Sequence, residues 1–487
     1  MTRRRSTTIS MSSRMKRPGR TNPNIKPATF VSDVKKALIV LGTISIIIFA
    51  LYSYLSPPAE QGELFMPVRR RSISSNSLSK AISKHEIEND DGTKYHIVFS
   101  TGCSPFQDWQ SYVFFFHAWQ SGQQGNVTRV ASCGNTHDAN TVAKLHEETI
   151  AIMSDRFHLH ITVDYSTRVK PGMTYKFFNK PFGLLDFLEN ALEYSPSETS
   201  NPNDDSIILL LDPDQMIIRP FTNDFSQSFE VWRPTKGKVK LPTKVGHGSP
   251  FAQQYGFGIQ WKRKVNATYV ANGPSRVDTM DMDEAKAFYA VGPPYIATAK
   301  DMYSLTRKWT EFAPRVHDLY PHLLAEMFAY CFAAAHLNLP HRVAHSFMVS
   351  DVWSGGEGWK LVDKMGKANV CNPPPDLNPH VIHYCQRYML GKWFIGKYRL
   401  RKDFISCDAP LLKEPPNDIV KYDYQLAPDG SQVALRSAQV GVRHAYMICA
   451  LIPRLNQAAI FYKEHHCDGK GNFEKTYIFH DSDAGMD

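Results

Sequence analysis

The chain has eight cysteines but no C-x-x-C pair, so a zinc site built from cysteines is excluded. It has no internal repeat, which excludes solenoids and propellers. It also lacks a basic domain, despite a formal net charge of +9. Of 56 basic and 47 acidic residues, ten and one lie in residues 1–36, so the rest of the chain holds 46 of each sign. A neutral body of that kind leaves no electrostatic footprint for nucleic acid, and none is expected as a partner.

Long uncharged runs are scarce as well. The one that could span a bilayer is residues 37–55, ALIVLGTISIIIFALYSYL, 19 residues against the ~20 a spanning helix needs. Lys35 and Lys36 abut its front and Pro57-Pro58 follows it. The preceding tail holds Arg3, Arg4, Arg5, Arg14, Lys16, Arg17, Arg20, Lys26 and these two lysines against Asp33 alone. Positive residues stay cytoplasmic. The reading is a single-pass signal anchor with a basic cytoplasmic tail (1–36), a transmembrane segment (37–55), a luminal stem (56–94) and a luminal domain (95–480). A cleaved signal peptide fits less well, because its apolar core is normally shorter and Ser-Pro-Pro-Ala-Glu makes a poor cleavage site. All eight cysteines follow the anchor, as an oxidising lumen allows, with connectivity open. Asn126-Val-Thr and Asn266-Ala-Thr are glycosylation acceptor triplets on the same side.

The stem is polar and Ser-rich, with Arg69-Arg70-Arg71, and lacks the apolar content to fold alone. From Tyr95 strand and helix patterns alternate. Strands are expected at 96–100, 127–132, 159–163 and 206–212, and helices at 109–119 and from Asn179-Lys180-Pro181, with Pro181 suited to a first helical turn. Alternation of this kind predicts a doubly wound α/β layer with a mostly parallel sheet and helices on both faces. Residues 305–309 and 319–339 read as helical, and Ser354-Gly-Gly-Glu-Gly-Trp359 as a flexible loop suited to a substrate rim. About 390 residues after the stem suffice for one large core.

The richest stretch is Ser206-Ile-Ile-Leu-Leu-Leu-Asp212-Pro-Asp214. Five apolar residues without alternation describe a strand buried on both faces. Two carboxylates then stand at its carboxyl end, where open α/β sheets place ligands. Such a pair can hold a divalent ion whose other positions a diphosphate fills; alternatively, the strand simply stops at an Asp-Pro turn. Downstream, His383 precedes Lys392 by nine residues, a histidine suited to complete a metal site and an ammonium suited to neutralise a leaving diphosphate. His383 on an apolar strand also reads as a hydrogen-bonded core residue.

Several segments together resemble the plant and algal hydroxyproline O-arabinosyltransferases and the related peptidyl serine α-galactosyltransferases. They are Val98-Phe-Ser-Thr-Gly-Cys103-Ser-Pro-Phe-Gln-Asp-Trp-Gln110, Val127-Thr-Arg129-Val-Ala-Ser-Cys133, Asn179-Lys180-Pro181, Leu211-Asp-Pro-Asp-Gln-Met-Ile-Ile-Arg-Pro220, Ala325-Glu326-Met-Phe-Ala-Tyr330 and Ile382-His383-Tyr384, with Cys449 and Cys467 flanking a Leu-Asn-Gln-Ala segment. The resemblance implies a GT-A glycosyltransferase fold, a Golgi or endoplasmic-reticulum address, a UDP-sugar donor, Mn²⁺ or another divalent cation, and retention of anomeric configuration. It implies that Asp212, Asp214 and His383 ligate the metal, with Asp212 also facing the ribose. Ser100, Thr101 and Arg129 fall where uridine and ribose contacts lie, and Asn179 and Lys180 near the donor sugar. Glu326 matches an acidic position in the acceptor region, and Lys392 a diphosphate-binding lysine. The acceptor it implies is a peptidyl hydroxyl, hydroxyproline from UDP-arabinofuranose first, with serine galactosylation or glycan extension as alternatives. No carboxylate pair beyond the metal motif suggests a covalent intermediate, so same-face attack with the leaving phosphate as base is expected. A protein of another class, an inactive luminal scaffold or lectin, would more readily have lost one of Asp212, Asp214 and His383.

The topology has a direct test. Protease added to sealed microsomes should leave everything beyond Ser56 intact until detergent is added; digestion without detergent would overturn the single-pass assignment.

Overall fold

The computed structural model of the chain describes residues 92–195, 201–235, 241–427 and 429–478. The expected tail, anchor and stem up to residue 91 lie outside the described residues. Among the described residues no helix is long and apolar enough to cross a membrane.

The alternating pattern from Tyr95 folds as β1 (Tyr95–Gly102), α1 (Pro105–Gln120), β2 (Asn126–Cys133), α2 (Thr136–Leu145), β3 (Phe157–Val163), α3 (Asn179–Asp186), β4 (Ile207–Leu211) and β5 (Gln215–Ile217). Then follow β6 (Phe251–Gln254), β7 (Val291–Thr298), α4 (Ala299–Leu319), α5 (Ala325–His336), β8 (Arg342–Ala344), β9 (Met348–Val349), β10 (Val381–His383), β11 (Arg387–Leu390), β12 (Trp393–Gly396) and α6 (Ala438–His466). A seven-stranded sheet in the order β3-β2-β1-β4-β7-β6-β8 forms the centre. β3, β2, β1 and β4 are mutually parallel, β7 is antiparallel to both its neighbours, and β8 runs parallel to β6. The expectation of a mostly parallel sheet is met, with β7 as the reversed strand.

Burial on both faces explains the apolar run of β4. Ile207, Leu209 and Leu211 enter one core with α1 and α6, while Ile208 and Leu210 enter the other with α3, α4 and α5. One expected helix is shorter than read: residues 319–339 read as helical, but α4 ends at Leu319 and α5 runs only from Ala325 to His336. Pro321 lies in the gap, where it disfavours a helical residue before it and has no N–H to donate. The break puts Glu326 in the first turn of α5.

Three disulfides use six cysteines: Cys103–Cys133, Cys371–Cys449 and Cys407–Cys467, leaving Cys331 and Cys385 free. The first joins the carboxyl ends of β1 and β2, and the other two tie loops onto α6. Fully buried Lys463 reinforces the last loop, donating to the carbonyls of Ser406, Cys407 and Ala409 at 2.6, 2.9 and 2.8 Å. Of the two glycosylation triplets, Asn126 is buried at the start of β2, which removes it as an acceptor in the folded chain, whereas Asn266 is exposed.

A second, three-stranded sheet, β5-β10-β9, branches from the first. Its base is locked by Glu230, whose Oε1 lies 2.6 Å from Arg219 Nη2 and 2.9 Å from His380 Nε2, while Ser346 Oγ donates to Oε2. Burial raises the pKa of this carboxyl, but His380, Arg219 and Ser346 outweigh it and bring the pKa from 4.5 down to about 2. A depressed carboxyl stabilises the fold above its unfolded pKa and loses that contribution as pH falls through the folded value. Glu230→Gln is therefore expected to lower stability near pH 7 by about 3 kcal/mol. Urea midpoints should show the gap between the two proteins closing between pH 4.5 and about 2; an equal gap at all pH values would contradict the charge assignment.

Candidate active site

β4 ends at Leu211, and the turn Asp212-Pro213-Asp214 carries the chain from the central sheet into β5 of the small one. Gln215 fixes that turn. Its side-chain oxygen accepts from Asp212 N at 2.9 Å, and its Nε2 donates to Pro293 O at 2.9 Å. β10 then pairs antiparallel with β5 in a register that sets His383 opposite Gln215, and Tyr384 N donates to Asp214 O at 3.1 Å. This register brings a residue 169 positions downstream to the turn. Asp212, Asp214 and His383 consequently offer ligand atoms that all lie within 4.8 Å of one another. Atoms this close can converge on one ion at bond lengths of ~2.2 Å, and the carboxylate–imidazole set suits Mn²⁺, Mg²⁺ or a similar cation.

Each carboxylate of the turn has its own ammonium. Lys180 Nζ, from the first turn of α3, lies 2.7 Å from Asp212 Oδ1 and 2.6 Å from Glu326 Oε1. Lys397, just after β12, pairs with Asp214 Oδ2, whose other oxygen is 3.2 Å from His383 Nε2. Burial disfavours the charge on Asp214, yet His383 and Lys397 together hold its pKa far below the ordinary carboxylate range. Burial likewise opposes the charge on Lys180, and Asp212 with Glu326 more than restores it. Glu326 is 1% exposed, and burial raises its pKa against the pull of Lys180. Its backbone N–H donates to Tyr175 Oη at 3.1 Å.

The remaining expected residues are dispersed around this cluster. Thr101 and Ser100 end β1 on the same edge of the sheet as Asp212. Arg129 is fully buried and braces that edge, donating to Thr101 Oγ1 at 2.8 Å, Gly102 O at 3.3 Å and Asp108 Oδ1 at 2.8 Å. Asn179 shapes a loop, accepting from Tyr165 N at 2.7 Å and donating to Asp164 at 2.9 Å. Lys392 stands apart from the cluster, exposed, with its Nζ over the Trp393 ring at 4.9 Å.

Hairpin geometry explains why the cation at Asp214 is Lys397. Leu390 pairs with Trp393, so Gly391 and Lys392 form the two-residue turn at the far end. Gly391 has φ +56, and a Cβ there would meet the Tyr422 ring at 2.8 Å, so only glycine fits. Four residues out and four back, at ~3.3 Å each, return the chain to its start beside Cys385. Gly396 pairs with Arg387, and Lys397 emerges there. The signal was present in the sequence, since Gly-Lys-aromatic occurs at both 391–393 and 396–398, but only strand pairing distinguishes them.

Three further groups border the site. Glu357, in the Gly-rich loop, accepts from Ser350 Oγ at 2.8 Å and from the Ser350 and Asp351 N–H groups, and burial pushes its pKa up to about 7 against these donors and His383. Half-buried Tyr255 is close enough to Asp212, Asp214 and Glu357 for their charges to raise its pKa further above a value that desolvation has already lifted. Cys385 acts on His383 from two residues away. Of the three, Glu357 alone lies in a segment that the sequence marks, the Gly-rich loop read as a substrate rim.

No family model matches the chain. Among curated proteins, the peptidyl serine α-galactosyltransferase of Arabidopsis thaliana is 23% identical over 333 residues, 66% of this chain and 34% of its own length. That of Chlamydomonas reinhardtii is 26% identical over 406 residues, 77% of this chain and 46% of its own. Among solved structures, the galactosyltransferase LgtC in complex with donor and acceptor sugar analogues aligns with 60% of this chain and 87% of its own, at 11% identity and a TM-score of 0.32. The apo WbbM bifunctional glycosyltransferase aligns with 60% and 46%, at 10% identity and a TM-score of 0.30. The chain spans between 34% and 46% of the length of the curated relatives it matches. Over 66–77% of its own length, then, this chain is related to proteins named peptidyl serine α-galactosyltransferase, one of the two groups its motifs resemble.

Proposed function

We propose that this protein is a metal-dependent glycosyltransferase of the GT-A type that moves a sugar from a UDP-sugar to a peptidyl hydroxyl. The observation that carries the reading is the convergence of Asp212, Asp214 and His383 on one point with Lys397 beside it. Breaking a sugar–phosphate bond leaves a diphosphate whose growing charge is the main obstacle. A divalent cation bound by the three ligands would offset part of that charge. Lys397 is placed to take up more of it once it is released from Asp214. Lys180, held between Asp212 and Glu326, has an ammonium next to the carboxylate expected to face the ribose, and Glu326 fixes where that ammonium points. Glu326 thus acts as a positioning residue for Lys180, and attack by the acceptor on the same face of the sugar needs no covalent carboxylate.

For the acceptor, serine with galactose takes precedence, because the curated relatives bear that name. Hydroxyproline with arabinofuranose is the second reading, favoured by the motif resemblance. The anchor at residues 37–55 would hold the domain in the Golgi or endoplasmic-reticulum lumen, where such acceptors pass.

Asp214→Asn keeps the shape of the side chain and removes a ligand charge, and calorimetry should show Mn²⁺ affinity falling by about 10- to 100-fold. Lys397→Met should lower kcat by about 100-fold, whereas Lys392→Met should stay within about twofold of the parent. Equal losses for the two lysine variants would remove Lys397 from the mechanism.

The acceptor is tested with full-length protein in detergent, UDP-galactose or UDP-arabinofuranose, and Ser- or Hyp-containing peptides read by mass. A hexose added to the serine peptide is expected. A pentose on the Hyp peptide but not on its Pro counterpart would favour the second reading, and transfer to free sugars alone would refute a peptide acceptor.

A further inference from the structure

One partly buried cation takes no part in this chemistry. Arg454 lies in α6, and its Nη1 donates to Ala450 O at 3.0 Å, one turn back on the same helix. No carboxylate pairs with it among the described residues, and the titratable group that acts on it is the phenol of Tyr446. That phenol already donates to Asn378 Oδ1 at 3.0 Å. Arg129, Arg219 and Arg443, by contrast, face Asp108, Glu230 and Asp363. Burial lowers the pKa of the Arg454 guanidinium.

Arg454 borders a cavity of about 310 Å³, whose wall also includes Asn372, Asn378 and the Cys371–Cys449 disulfide. No acidic residue lines it. Because the Asn378 oxygen is occupied by Tyr446, its amide N–H groups remain as donors. The cavity therefore combines a forked cation with neutral donors and lacks a negative group. Its volume equals about ten waters at ~30 Å³ each, room for a phosphate group and part of its hydration. It lies beside the chain entering β10, whereas His383 closes the other end of that strand, so an occupant would be distinct from the donor diphosphate.

We propose that this cavity is an oxyanion site for a phosphate group, free or esterified, with Arg454 supplying the charge and Asn378 and Asn372 the further donors.

Calorimetry of the full-length protein in EDTA, at ionic strength balanced with chloride, tests this with inorganic phosphate and glycerol 3-phosphate. Saturable binding is expected, with affinity falling at least tenfold in Arg454→Gln and in Asn378→Asp. The second variant keeps the oxygen that accepts from Tyr446 and brings its own carboxylate to the cavity, so it remains informative if Arg454→Gln does not fold. It should also retain Mn²⁺ binding and transfer activity. Lys397→Met should bind phosphate as the parent does, which separates this site from the proposed donor site. Tighter binding of glycerol 3-phosphate would identify an esterified group as the ligand, and tighter binding of inorganic phosphate the free ion. Absence of saturable binding in the parent, or undiminished affinity in Asn378→Asp, would overturn the proposal.

Discussion

Two carboxylates one residue apart at the end of a doubly buried strand would repel each other and cost several kcal/mol to remove from water. The arrangement around β4 answers that constraint. Asp212 is paired with Lys180 from α3 and Asp214 with Lys397 from beyond β12, so the two ammoniums come from segments far apart in the chain. Both lysines are themselves largely buried, and their pKa values are raised by the carboxylates they face. Burial opposes the charge on both lysines and on Asp214, and the pairing restores it. With Glu326, the cluster holds three carboxylates against two ammoniums, with His383 beside Asp214. That composition leaves room for an added divalent cation and for an added diphosphate.

The scaffold can be understood as the means of keeping those charges in register. β5 leaves the central sheet directly after Asp214 and pairs with β10, which sets the position of His383. The Glu230 network secures the amino end of β10 through His380, so the strand cannot slide without breaking a buried hydrogen bond. The hairpin β11–β12 returns the chain to its starting point and sets Lys397 against Asp214. On the other side, Arg129 and the Cys103–Cys133 disulfide hold the ends of β1 and β2, the same edge of the sheet as Asp212. Rigid elements thus carry the charged groups, as a site that must meet its ligands without large rearrangement requires.

What was legible from the chain alone was the part governed by local pattern. The unbroken apolar run of β4 reports burial on both faces, which implied helices on both sides of the sheet, and the Asp-Pro-Asp turn marked the ligand edge. The helix beginning at Asn179 and the strands at β1, β2 and β3 follow from periodicity. Where a local signal was misjudged, a single residue accounts for it: Pro321 divides α4 from α5, and Asn126 lies inside a strand although its triplet resembles an acceptor.

Pairing between distant segments had no such signature. Two Gly-Lys-aromatic triplets are equivalent as sequence, and only the antiparallel register of β11 with β12 exposes Lys392 at the turn and delivers Lys397 to Asp214. Glu357 and Tyr255 joined the site for the same reason, since they border it from elements far from Asp212 and Asp214 in the chain. Composition and periodicity act over a few residues and set which segments are buried. The partner of each buried charge is set by strand register and chain reversal, which only the folded chain possesses.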